Sequence, residues 1–265
     1  MKTNFRLFAV TVTLLCASLA GCFGDDDSDS GEYDGPIDLI VYYDTTAGMI
    51  ETSENNGQTG PTTGVELSFD FADTTSGDGS IAKIMIDPDD GSDPVEGDPA
   101  DNAVISYTWM THGVFTVTLT AEDDEGNSHS MMVKVKIDMH IVWTETNTAS
   151  ASMQFDATPD CEDGDPLPDR ITISSTVENP GQIFGGGNSD VTWSLNNPTD
   201  EEISSSSGTL GNGASETWDY TTRDIVEGFW TLNVEVTNGD DVNVNNDVTI
   251  AYAEGAEDPT NSRPE

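Results

Sequence analysis

An all-β protein of two tandem antiparallel sandwiches is what the sequence predicts. Three observations predict it: apolar and polar residues alternate in short runs, Gly, Asp, Asn and Pro cluster between those runs, and no helical periodicity is sustained after residue 36. In the first half Phe115, Val117, Leu119 and Ala121 alternate with Thr116, Thr118 and Thr120, and Met131, Val133, Val135 and Ile137 alternate with Met132, Lys134 and Lys136. In the second half Ile171, Ile173, Ser175 and Val177 form one such face, and Trp230, Leu232, Val234 and Val236 another. A period of two with one apolar face describes a strand with one side in a core and the other in water. The runs divide into a domain over 37–137 and a second over 138–252, with the boundary at Asp138, where one strand is expected to end and the run MHIVWT to begin another. Residues 253–265 (AEGAEDPTNSRPE) are expected to form a disordered polar tail.

The N-terminus carries Lys2 and Arg6, then an apolar stretch from Leu7 to Leu19, then Leu19-Ala20-Gly21-Cys22. These are the basic, apolar and cleavage regions of a signal peptide over 1–21. Thirteen residues rise only about 20 Å as helix, short of a hydrocarbon core of roughly 30 Å, so a span is not expected. The Leu-Ala-Gly-Cys box resembles the lipobox of prokaryotic lipoproteins. That resemblance implies a diacylglyceryl group on the Cys22 sulfur, cleavage just before it, and a chain held by lipid on the outer face of the cell membrane. Two acyl chains meet the two-signal requirement for stable anchoring. Residues 22–36 then read as the lipidated Cys followed by an acidic tether, FGDDDSDSGEYDGP, too polar to bury a core and extended by its own charge.

The whole chain holds 8 bases and 50 acids, a net charge of −42. Removing residues 1–21 takes away Lys2 and Arg6 and no acid, leaving −44. Nucleic acid and anionic lipid surfaces are excluded as partners, because both are gripped through clustered Lys and Arg. The acid-rich, lysine-poor composition resembles that of secreted proteins from halophilic or marine archaea, and an acidic calcium-binding surface is the other reading of it. Cys16 lies in the signal peptide and Cys22 is the lipid site, so Cys161 is the remaining thiol and no intramolecular disulfide is expected.

Catalytic chemistry finds no support in the motifs, and the chain is expected not to be an enzyme. His112, His129 and His140 are not spaced as zinc ligands, and no nucleophile elbow, phosphate loop or dinucleotide fingerprint occurs. His112 and His129 are expected in loops or at the surface, and His140 in packing or between the domains. Cys161 lies among Asp160, Glu162 and Asp163, which disfavour a thiolate. No cofactor is expected unless calcium binds. Its candidate ligands are Asp87, Asp89, Asp90 and Asp93 in one loop, and Asp160, Glu162, Asp163 and Asp165 in a second that runs on to Asp169. Hard cations take several oxygens from such loops, although neither keeps the register of a helix-loop-helix site.

Two family resemblances add to this. Gly113–Asn127 (GVFTVTLTAEDDEGN) looks like the last hairpin of a PKD domain, and Ile86-Asp87-Pro88-Asp89-Asp90-Gly91 is similar to that family's Trp-Asp-Phe-Gly-Asp-Gly segment without its aromatics. Trp109 stands where the family usually has Tyr. The second half resembles the CARDB group of prokaryotic adhesion-related sandwiches, through Val177-Glu-Asn-Pro-Gly181, Gly208–Ser215, Glu227–Thr231 and Asn243–Asp247. The resemblances imply immunoglobulin-like sandwiches over 37–137 and 138–252, and a non-catalytic adhesion, binding or spacer protein whose partner is an extracellular protein or glycan. The alternative is a polymer-binding accessory or degenerate subunit of a secreted hydrolase, with Phe229 and Trp218 as the aromatics that hold the polymer.

Overall fold

The computed structural model describes residues 35–161, 166–182 and 185–264. The signal peptide, Cys22 and the tether up to Asp34 lie outside them. In the first half run β1 (Ile37–Asp38), β2 (Ala47–Asn55), β3 (Gln58–Thr59), β4 (Val65–Asp70), β5 (Thr75–Ser76), β6 (Ile81–Asp87), β7 (Val95–Gly97), β8 (Val104–Trp109) and β9 (Gly113–Asp123). A long strand follows, β10 (Ser128–Thr148). The second half contributes β11 (Ser150–Asp156), β12 (Arg170–Glu178), β13 (Ser189–Asn196), β14 (Glu202–Leu210), β15 (Ser215–Thr222), β16 (Phe229–Asn238) and β17 (Val242–Ala251).

The fold is all-β, and it is two sandwiches built on one shared sheet. That sheet runs β15-β12-β17-β10-β9-β6-β7, with β2 on the other edge of β10. The first sandwich closes with β4 and β8 over β6, β9 and the start of β10; the second closes with a four-stranded sheet, β11-β16-β13-β14. The inward faces agree with the alternation. Phe115, Val117, Leu119 and Ala121 are fully buried in the first core with Val133, Val135 and Ile137; Ile171, Ile173, Trp230 and Leu232 are fully buried in the second. At the centre of the second core Trp193 Nε1 donates to Ser175 Oγ (3.0 Å), and that hydroxyl donates to Asn246 Oδ1 (2.6 Å).

The strand break expected at Asp138 is absent. β10 runs unbroken for 21 residues through both sandwiches. On one edge it pairs with β9 over Ser128–Ile137 and then with β17 from Met139 onward. On the other edge β2 pairs parallel to it from Lys136 to Thr144, across the junction. Asp138 falls in the gap between β9 and β17, where its Oδ1 accepts from the Tyr252 backbone N–H (2.9 Å). Its carboxylate stands in for the missing ladder partner, so an Asp that reads as a breaker is accommodated within a strand.

The tail expected to be disordered is docked instead. From Ala253 the chain turns back onto the first sandwich. Asp258 exchanges bonds with the backbone of Lys134, its N–H donating to the carbonyl (3.0 Å) and its Oδ2 accepting from the N–H (2.8 Å). Lys136 pairs with Glu257 (3.1 Å), Tyr43 and Asn261 form a backbone bridge, and Arg263 reaches Asp70, Asp73 and the Tyr42 ring. Composition suggests disorder because the segment has no apolar side chain larger than Ala or Pro; polar partners on the edge of β10 and near Tyr42 and Tyr43 hold it.

Candidate binding surface

The acids of the first expected calcium loop are engaged in the fold. Asp89 is buried at φ 63°, and its Oδ2 accepts from the Thr116 N–H (2.7 Å). Asp87 Oδ1 accepts from the Asp89 N–H (3.4 Å), while the Asp90 carboxylate takes bonds from the Ser92 N–H and the Tyr107 hydroxyl. Pro88 O accepts from Trp109 Nε1 (3.2 Å), which seats the loop over the core, and Asp93 is exposed. In the neighbouring hairpin Asp123 accepts from Asn127 Nδ2 (2.9 Å), the Asn127 N–H (2.8 Å), the Glu125 N–H and Ser76 Oγ. The Asn127 amide is the main reason its pKa lies below the ordinary carboxylate value. Gly126, at φ 87°, lets the turn close.

In the second expected loop Glu162, Asp163 and Asp165 lie outside the described residues. Asp160 donates its backbone N–H to the His112 carbonyl (3.2 Å), and Asp169 pairs with Arg170 and Arg223. Among the described residues no three His, Cys, Asp or Glu side chains converge as a metal site.

The junction holds the largest departure from the sequence reading. His112, expected in a loop or at the surface, does lie in the loop between β8 and β9, but it is 5 % exposed. Its Nε2 lies 3.1 Å from the Asp156 carbonyl and its Nδ1 2.8 Å from the Tyr252 hydroxyl. A carbonyl can only accept, so Nε2 carries the proton and Nδ1 accepts from Tyr252. The imidazole thus ties the β8–β9 connection of the first sandwich to two segments of the second. Beside it a cleft of about 430 Å³ is lined by Thr111, Met139, Asp156, Thr158, Pro159 and Asp160. Cys161 packs against the first core, close to Gly113. The other histidines are also engaged: His129 meets the Ile37 carbonyl, and His140, between β2 and β17, meets Asp247 Oδ1 (2.9 Å).

Burial holds the His112 pKa below the ordinary imidazole value of 6.5, against the opposing influence of the Asp156 carbonyl and of the Asp156, Asp160 and Asp138 charges. The unfolded chain therefore binds the extra proton first as pH falls below 6.5, and the stability due to neutral His112 is lost from there downward. The measurement is denaturant unfolding of wild type and His112→Gln between about pH 7.5 and about pH 5. Carboxylate titration is common to both proteins and cancels, so the wild type's advantage should shrink on acidification. An advantage independent of pH would contradict this assignment.

The two aromatics expected to hold a polymer are not brought together. Trp218 lies on β15 in the shared sheet, half-buried against the second core and stacked on Tyr220 (5.7 Å between centroids, 16° between planes). Phe229 lies on β16 in the opposite sheet and is 61 % exposed on its outer face. Strand register spreads a polar grid behind that ring. One row across the sheet is Gln154, Thr231 and Asn196, the next Ser152, Asn233, Ser194 and Ser205, and the next Ser150, Glu235, Thr192 and Ser207. Two adjoining hollows of about 500 and 510 Å³ share Thr192 and Ser207 and make a trough over β13 and β14. Sequence reasoning picked out Phe229 and missed the grid; the polar phase of SDVTWSLN and of Phe229–Thr237 was the available signal.

Likeness to solved structures is distant. A carbohydrate-binding module, from work on the promiscuous specificity of such modules of the β-sandwich superfamily, is 14 % identical with a TM-score of 0.30, over 82 % of this chain and 98 % of that one. A structure of the Bacillus endospore appendages, disulfide-linked pili, is 15 % identical with a TM-score of 0.25, over 44 % of this chain and 88 % of that one. Tripeptidyl peptidase 2 is 6 % identical with a TM-score of 0.28, over 81 % of this chain and 20 % of its own. No curated protein matches the chain. Residues 52–137, from within β2 to the junction in β10, match the model of the PKD domain, in agreement with the resemblance carried by the Gly113–Asn127 hairpin.

Proposed function

We propose that the chain is a lipid-anchored, non-catalytic surface protein that presents a binding face on two fused sandwiches, the first a PKD domain and the second CARDB-like. The observation that carries this reading is the junction. A strand shared by both sandwiches, a second strand splinted across it and a tail strapped back over it make a stiff support, as suits a protein that holds a surface at a distance. His112 and His140 are spent on the fold, which supports a non-catalytic role. The lipobox and acidic tether supply the attachment and its reach.

Cys22→Ser tests the anchor. The variant is expected to fold and to leave the membrane fraction, because lipid on Cys22 is the attachment proposed. A variant that still sediments with membranes after a high-salt wash would show that something else holds the protein there.

A further inference from the structure

We propose that the outer face of the four-stranded sheet β11-β16-β13-β14 binds a neutral polysaccharide chain. This rests on the non-catalytic binding reading above and names the ligand class for it. Phe229 is the first observation. A phenyl ring 61 % exposed on a strand whose other outward residues are Thr231, Asn233, Glu235 and Thr237 contributes nothing to the core, since Trp230 and Leu232 fill that side. A free aromatic face is what the C–H face of a sugar ring stacks on.

The grid is the second observation. Hydroxyls and amides each donate and accept, as the hydroxyls of a sugar do, and Glu235 and Glu202 add exposed acceptors beside Thr192 and Asn196. The small side chains of Ser194, Ser205 and Ser207 leave the trough through which a chain could pass close to the sheet.

Charge decides between polymers. The grid rows contain no Lys, Arg or His, and the whole chain carries −42, so uronate, sulfated and nucleic-acid polymers are repelled. A protein partner is disfavoured by the same lining, because protein interfaces are depleted in Ser and Glu and centre on buried aromatic, Met or Arg anchors. A neutral polyol is the class that matches both.

The test is retention of the purified full-length chain, in detergent, on insoluble cellulose, chitin, starch and mannan, with heparin resin as the anionic contrast. Wild type should be retained by at least one neutral polymer and not by heparin. Phe229→Ala should weaken that binding about tenfold or more, and Ser207→Arg, which fills the trough, to a similar degree. Thr217→Arg, on the outer face of the other sheet, should bind as wild type, and unchanged melting of all three variants would show that each remains folded. Retention by no neutral polymer, retention by heparin alone, or equal binding by Phe229→Ala and Ser207→Arg would overturn the proposal. Since Cys22→Ser tests the anchor independently, failure here would leave the surface-protein reading standing.

Discussion

Trp193→Ala is expected to lower the stability of the protein by about 3–5 kcal/mol, the usual cost of deleting a large buried aromatic. Trp193 is 1 % exposed and sits at the centre of the second core. The cavity would lie between two sheets whose neighbouring side chains, Ile173, Val234 and Leu232 among them, are held by their own strands and cannot collapse freely. The substitution also strips Ser175 Oγ of its indole donor, in a core where Asn246 Nδ2 already lacks a partner. Urea unfolding gives the measurement. A loss under about 1 kcal/mol would mean that the second core is not packed around this indole.

Met139→Pro should have an effect of another kind, dividing one unfolding transition into two. Met139 pairs with Ile250 on one side and Ile50 on the other, and its side chain packs against both cores. Proline removes a backbone donor from a strand bonded on both edges, at the first residue of the stretch Met139–Thr144 where β2, β10 and β17 run side by side. The direct cost is on the order of 2–4 kcal/mol from a lost ladder bond and the carbonyl it strands. Wild type should melt in a single cooperative transition, because the cores share a sheet. In the variant, probes in the first and second sandwiches should separate. Coincident melting in Met139→Pro would show that the tail and His112 suffice to couple the halves.

What the sequence disclosed was local. The faces of β9, β12 and β16 could be read because each is apolar on one side and polar on the other over eight or more residues, and a period of two survives whatever the strand pairs with. The junction was illegible for the opposite reason. β2, AGMIETSEN, buries Ile50 alone, so its pattern does not announce a strand, and it is fixed by pairing with residues about 90 positions away. The loop position of His112 could be read but its burial could not, because the hydroxyl it meets is 140 positions distant. Asp138 and the tail were misread alike, as polar residues without visible partners, when the partners lie on other strands. The proposed binding face shows the same limit: Phe229 stands out alone, whereas Ser152, Asn233, Ser194 and Ser205 become a row only once register is known.

The splint of β2 across the junction also bears on how this protein can be divided or inherited. A cut at Asp138 would leave Met49–Asn55 without the β10 residues they pair with, and would bare the edge of Met139–Thr144 that β2 covers, with β17 still paired on the other edge. Each fragment would carry a raw strand edge, the feature that templates aggregation. Recombination that swapped either half for an unrelated module would meet the same penalty, so the two sandwiches are bound to travel through evolution as a single heritable piece.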